Sequence, residues 1–166
     1  MENQRFRFSE TERHFNPDPV KSKLEALMNK KKDGPFWRLR YLYMGSSNVQ
    51  KDVDYYGEVL GAKKIWDISS FGTRVAAFKL GEGPTLLLAE HRPAPSSILI
   101  FEVDDLRVAS EELRKRGWEP LGERFEIPEG PCYRFNDPSG NPLALLQITR
   151  PNVLGKITEE NDNPRG

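Results

Sequence analysis

The sequence predicts an α+β fold made of two tandem βαβββ modules that curl together into a half-open barrel, a cup. Three observations predict it. The order strand, helix, three strands runs twice between residues 37 and 150. The glycines that close the two helices, Gly61 and Gly117, stand 56 residues apart. A hairpin turn sits at the same place in each unit, Gly81–Pro84 in the first and Asp137–Gly140 in the second. A repeated supersecondary unit of this kind cannot bury its apolar face alone. Two such sheets joined edge to edge, with the helices outside, leave a concave inner face of the sort that small ligands use.

The elements follow in order. Phe36–Met44 is rich in aromatic and apolar residues and reads as a strand. Asn48 can cap a helix with Val49, Val53, Tyr56 and Leu60 on one face, closed by Gly61. Lys63–Ile68, Arg74–Leu80 and Thr85–His91 are the three strands of the first module, residues 37–92. In the second module, residues 93–150, Ser97–Val103 is a strand. Asp104 or Asp105 caps a helix with Leu106, Ala109 and Leu113 inward, and Trp118–Phe125, Cys132–Asn136 and Pro142–Ile148 are the closing strands. Residues 1–36 form an extension with one helix, for which Asp18 is the cap and Pro19 the first residue. Residues 151–166 are a polar tail, expected to be disordered from Thr158 onward.

Composition excludes several classes of function. Of 166 residues, 25 are Lys or Arg and 25 are Asp or Glu, so the net charge is zero and there is no basic footprint for nucleic acid. No apolar run is long enough to cross a bilayer, and the Met-Glu-Asn-Gln-Arg start carries no apolar signal segment, so a cytoplasmic protein is expected. The single cysteine, Cys132, excludes an internal disulfide framework and a cysteine-rich zinc site.

Strand alternation then assigns faces. Leu99, Phe101 and Val103 should meet the second helix, which turns Ile98, Ile100 and Glu102 to the cup; Leu42 and Met44 likewise leave Tyr41, Tyr43 and Gly45 inward. Leu86, Leu88 and Glu90 are expected on the inner face of one closing strand, and Pro142, Ala144 and Leu146 on that of the other. Arg74, Cys132 and Arg134 are placed inward as well. The candidate ligand-binding set is therefore Tyr41, Tyr43, Arg74, Glu90, Glu102, Cys132 and Arg134.

Each candidate has two readings. Glu102, inside an apolar strand, is the candidate general base or the partner of an arginine. Arg74 and Arg134 could clamp a carboxylate or phosphate, or pair with Glu90 and Glu102. Cys132 is a ligand contact or a buried inert thiol, with no histidine placed to activate it. Tyr41, Tyr43 and Trp37 could stack on a planar ligand or serve as core. His91 beside Glu90 invites a metal reading, but adjacent strand residues face opposite sides. His14 and the Lys30–Lys32 run read as solvated.

The order of elements, with VQKDVDYYGEVLGA closing the first helix at Tyr56-Gly-Glu-Val-Leu60-Gly61 and FNDPSGNPLALLQ carrying the Asp137–Gly140 turn, resembles the vicinal oxygen chelate superfamily over residues 37–150. That superfamily includes glyoxalase I, bleomycin-resistance proteins, fosfomycin-resistance enzymes and extradiol dioxygenases. The resemblance implies a divalent-metal site with ligands at four positions, which here match Tyr41, Leu88 (Glu90 if the register slips by two), Ile98 and Ala144. Ile and Ala offer no donor atom, so no metal ligands and no cofactor are expected. The resemblance then implies a binding protein of the bleomycin-resistance type, holding a partly aromatic or anionic small molecule, and a homodimer. The alternatives are a lyase, isomerase or dioxygenase with a shifted divalent-metal site near Glu90, His91 and Glu102 or with metal-free acid–base chemistry at Glu102, and a non-catalytic dimeric interaction module.

Overall fold

The computed structural model describes residues 34–70 and 72–155. The N-terminal helix, His14, the Lys30–Lys32 run and the tail from Thr158 lie outside the described residues. The element order is β1 (Phe36–Gly45), α1 (Val49–Asp54), a π-turn (Tyr55–Val59), β2 (Lys63–Ser70), β3 (Thr73–Lys79), β4 (Thr85–Ala89), β5 (Ser97–Val103), α2 (Leu106–Arg114), β6 (Phe125–Ile127), β7 (Gly130–Asn136) and β8 (Pro142–Leu146). The eight strands of the described residues join one sheet in the order β2-β3-β4-β1-β5-β8-β7-β6. Each module closes with a parallel pair, β1 with β4 and β5 with β8, and the modules join through antiparallel β1 and β5. Both halves of the cup therefore come from one chain. Among the described residues no helix is long and apolar enough to cross a membrane.

The helices form where capping and apolar spacing agree. Asn48 accepts from the Lys51 amide at 3.0 Å, and Asp105 from the Val108 amide at 2.9 Å. Gln147, just past β8, accepts from the Leu106 amide at 3.1 Å and ties the start of α2 to the sheet. Val49 and Val53 pack on Ala76, Phe78 and Leu88; Leu106, Ala109 and Leu113 pack on Val103, Phe135 and Leu145. These are the two convex cores.

Two elements differ from expectation. The first helix continues from Asp54 into a π-turn, closed by the Leu60 amide on the Tyr55 carbonyl at 3.0 Å. The wider turn rotates Leu60 off the apolar stripe and leaves it 44% exposed. The strand expected over Trp118–Phe125 shrinks to Phe125–Ile127. Trp118 instead caps the α2 core, edge-on to Tyr133 and Phe135, while Pro120 and Gly122 (φ +79°) break the ladder.

Gly45 ends β1 under the connection between modules. A Cβ there would stand 2.0 Å from the Pro93 carbonyl oxygen, so only glycine lets the linker cross so closely. The Gly45 amide donates to Ser96 at 3.0 Å, which pins Arg92–Ser96 over the end of the strand.

Candidate functional site

The strand registers set out the concave face as rows. Arg38, Glu102, Leu146, Cys132 and Phe125 form one; Tyr41, Ile100, Ala144 and Arg134 the next; Trp66, Ala77, Leu87, Tyr43 and Ile98 a third. The inward placements of Tyr41, Tyr43, Ile98, Ile100, Ala144 and Leu146 match the observed inner cluster. The placements of Leu86, Leu88, Glu90 and Arg74 are corrected. Leu86 and Leu88 pack on the convex core under α1, and Leu87 faces the cup. The run Leu86-Leu87-Leu88-Ala89 is buried toward both faces, so alternation within it has no phase; its parallel register with β1 decides. Arg74 alternates with inward Val75 and lies on the convex side. It forks onto Asp67 at 2.7 and 2.8 Å and reaches Gln50 of α1 at 2.8 Å, and Glu90 accepts from its backbone amide at 3.2 Å. That fork holds the Asp67 carboxyl below its ordinary range.

The polar part of the concave face centres on a defect in β1. The register slips between Leu39 and Tyr41, leaving Arg40 as an extra residue in the strand. Such bulges re-aim side chains. Arg40 reaches Glu102 at 3.6 Å and Glu129 at 3.7 Å, and Arg38 Nε donates to Glu102 at 2.9 Å. Glu129, from the loop between β6 and β7, crosses the curl of the second module to β1, where the Tyr41 hydroxyl donates to its carboxylate at 2.7 and 2.8 Å. Glu102 and Glu129 are 7% and 5% exposed, Tyr41 5%. Burial and the adjacent Glu129 carboxylate push the Tyr41 phenol far above its ordinary value. Burial works against the charge on Arg40, but its bond with Tyr41 and the fields of Tyr41, Glu129 and Glu102 outweigh this and raise it. Its Nε is buried with no hydrogen-bond partner among the described residues.

The other candidates surround this cluster. Cys132 lies beneath it, 2% exposed, its thiol pushed up to about 12 by burial and by Glu126 and Glu129. Such a thiol is not a nucleophile at neutral pH. Arg134 stands at the open side, over the Phe125 ring at 5.4 Å, with no carboxylate partner among the described residues. Tyr43 bonds His91 at 2.6 Å. Three members of the cluster, Arg38, Arg40 and Glu129, escaped the sequence reading: Arg40 because a bulge is invisible to strict alternation, Glu129 because it sits in a loop.

The divalent-metal site that the fold implies does not fit these residues. The inward positions on β1, β4, β5 and β8 carry Tyr41 and Tyr43, Leu87, Ile98, Ile100 and Glu102, and Ala144 and Leu146, and the one carboxylate among them, Glu102, is held by Arg38 and Arg40. Aliphatic side chains cannot coordinate, and among the described residues no three His, Cys, Asp or Glu gather as a metal cluster. No step through a metal follows from the described residues.

The model of the Glyoxalase/Bleomycin resistance protein/Dioxygenase superfamily matches residues 38–145. The chain belongs to this superfamily. Among solved structures, the superfamily fold is shared with methylmalonyl-CoA epimerase from Mycobacterium tuberculosis, at TM-score 0.60 and 15% identity over 70% of this chain and 91% of that one. Hypothetical protein BH1468 from Bacillus halodurans C-125 gives 0.59 and 13%, over 68% and 95%. A Streptomyces coelicolor methylmalonyl-CoA epimerase variant in complex with 2-nitronate-propionyl-CoA gives 0.56 and 16%, over 69% and 99%. At these identities the likeness shows the fold alone. No curated protein matches the sequence.

Proposed function

We propose that this superfamily member binds a small anionic molecule with an aromatic or apolar part in its cup, without a metal. One observation carries the reading: the concave face already holds a carboxylate. Glu129 takes both oxygens to the Tyr41 hydroxyl and lies beside Arg40, as a ligand's carboxylate would. Arg38, Arg40 and Arg134 outnumber Glu102 and Glu129 across these rows, so an added anion is favoured by charge. The unpaired Nε of Arg40 and the Arg134 guanidinium are the donors left to receive it. Phe125 and the apolar floor supply the surface for the rest of the ligand. The epimerases that share the fold are enzymes, which keeps metal-free acid–base work by Glu102 in play; Arg38 and Arg40 hold that carboxylate on both sides, which suits a charged anchor better than a free base.

The test is calorimetric titration with benzoate and phenylacetate. Saturable binding is expected, weakened about tenfold by Arg134→Ala and by Tyr41→Phe. Binding unchanged in both variants would overturn the placement. A second reading, an interaction module, is favoured by the burial of the floor, where Ile98, Ile100, Ala144 and Leu146 are 8%, 8%, 4% and 0% exposed. No binding of either probe would select it. The homodimer expected from the resemblance is part of this proposal, and light scattering on the purified protein tests it.

A further inference from the structure

Tyr43 follows Tyr41 by two residues on the same face of β1, about 7 Å further along the strand. Its surroundings are chemically complete without being paired off. The Tyr43 hydroxyl lies 2.6 Å from His91 Nε2, and His91 Nδ1 lies 3.0 Å from the Thr73 hydroxyl. The Arg92 guanidinium stands over the Tyr43 ring, 5.2 Å from its centroid. Arg92 has no carboxylate partner among the described residues; its single side-chain bond is a long one to Ser96, 3.5 Å, and its Nε is buried without a partner. Such a donor, taken out of water and left unbonded, costs free energy until something accepts from it. Its position is not accidental to a loose loop. The Pro93 carbonyl is seated against Gly45, and the Ser96 carbonyl accepts from the Gly45 amide, so the linker holds Arg92 in place.

The relay behind Tyr43 decides where its proton points. In one tautomer Thr73 donates to Nδ1 and Nε2–H donates to the phenol oxygen, which leaves the phenolic hydrogen free to donate forward, toward the Arg92 side. Burial raises the phenol above its ordinary value, against the opposing field of Arg92, so that hydrogen is retained at neutral pH.

We propose that Arg92, Tyr43 and His91 form a second oxyanion subsite in the cup, one for a carboxylate or phosphate group, so that the ligand is a dianion spanning the two stations along β1. The guanidinium supplies charge and two or more N–H donors, Tyr43 adds a neutral O–H, and His91 fixes that O–H by holding the phenol from behind.

The inference deepens the proposed binding function, and its test separates the two. His91 is one of two histidines in the chain, so its imidazole resonances are readily assigned by NMR. Titration with inorganic phosphate is expected to shift the His91 ring and the Arg92 Nε–H saturably and to leave the other histidine unmoved. Arg92→Gln should weaken this about tenfold or more, Arg92→Lys less, and Tyr43→Phe to an intermediate degree, with the dispersed spectrum showing that each variant is folded. Terephthalate, with a carboxylate at each end, should bind the parent more tightly than benzoate and lose that advantage in Arg92→Gln. A phosphate response that is absent, or that survives Arg92→Gln, overturns the subsite whatever benzoate does. A phosphate response without benzoate binding upholds the subsite and sinks the carboxylate station at Tyr41.

Discussion

The two modules share a topology but not an inner surface. On the module-one side the concave face is mostly apolar: Trp66, Ala77 and Leu87 pack as a floor by contact, and Tyr43 beside them bonds His91. Where the modules meet it is stitched by charge: Arg38, Arg40 and Tyr41 of β1 form one connected network with Glu102 of β5 and Glu129 of the loop before β7. By resemblance, metal-using members of the superfamily draw ligands from both modules alike. Here the repeat in the backbone has been kept while the charged groups gather at the seam between β1 and β5, and a second polar group of Tyr43, His91, Thr73 and Arg92 lies at the far end of module one. The difference teaches that strand positions which agree between modules do not imply matching roles.

The comparison can be broken first at Glu129. Glu129→Ala should leave the Tyr41 hydroxyl and Arg40 buried and short of a partner, a loss of about 3–5 kcal/mol. The equivalent test of the apolar side, Leu87→Ala, should cost about 2–4 kcal/mol by a cavity, with little dependence on salt or pH. Urea unfolding of both variants separates them. Equal costs would mean that the charged network contributes no more than packing does.

A second test uses base. Tyr41 and Cys132 both have folded-state values raised above their ordinary ones. A raised acid keeps its proton in the folded state, so the stability it contributes is fully present below the unfolded value and is lost as pH rises through the folded one. For Cys132 that window runs from 9.0 to about 12, and for Tyr41 it begins at 10.0. Unfolding free energy should fall steeply over this range, by a few kcal/mol. Tyr41→Phe should flatten the upper part of the fall and Cys132→Ala the lower. In the native state near neutral pH, Cys132 should ignore a disulfide-exchange thiol reagent and react only after unfolding. A flat alkaline profile would place both groups in a wetter setting than the one described.

Most of the fold was legible because each local signal agreed with the next. Asn48 and Asp105 cap where expected, Asp137 holds its turn through bonds to the Ser139 and Asn141 amides at 2.9 and 2.8 Å, and Ile98, Ile100 and Glu102 face inward as their strand alternates. The failures have physical causes. Leu86–Ala89 is buried on both faces, which erases the period-two signal. Trp118 resembles a strand residue but serves as a lid on α2. For the site, Tyr41, Tyr43, Glu102 and Arg134 could be found by alternation, whereas Arg40 depends on a bulge and Glu129 on a loop that crosses the curl, neither of which leaves a periodic trace.

The smallest effect concerns Arg74, which the sequence placed in the cup. Its fork onto Asp67 lies on the convex side and is partly open to water, so its contribution is screened. Asp67→Asn should cost only about 0.5–1 kcal/mol at neutral pH. The sign is opposite to that of Tyr41: the Asp67 value is lowered, chiefly by its bond to Arg74. Its contribution is therefore present above the unfolded value of 3.8 and is lost as pH falls through the folded one. Parent and variant should converge in stability below that range, and benzoate should bind both alike, because nothing in the fork reaches the concave face. A loss of benzoate binding in Asp67→Asn would return Arg74 to the cup and undo the separation of the convex fork from the charged network of the concave face.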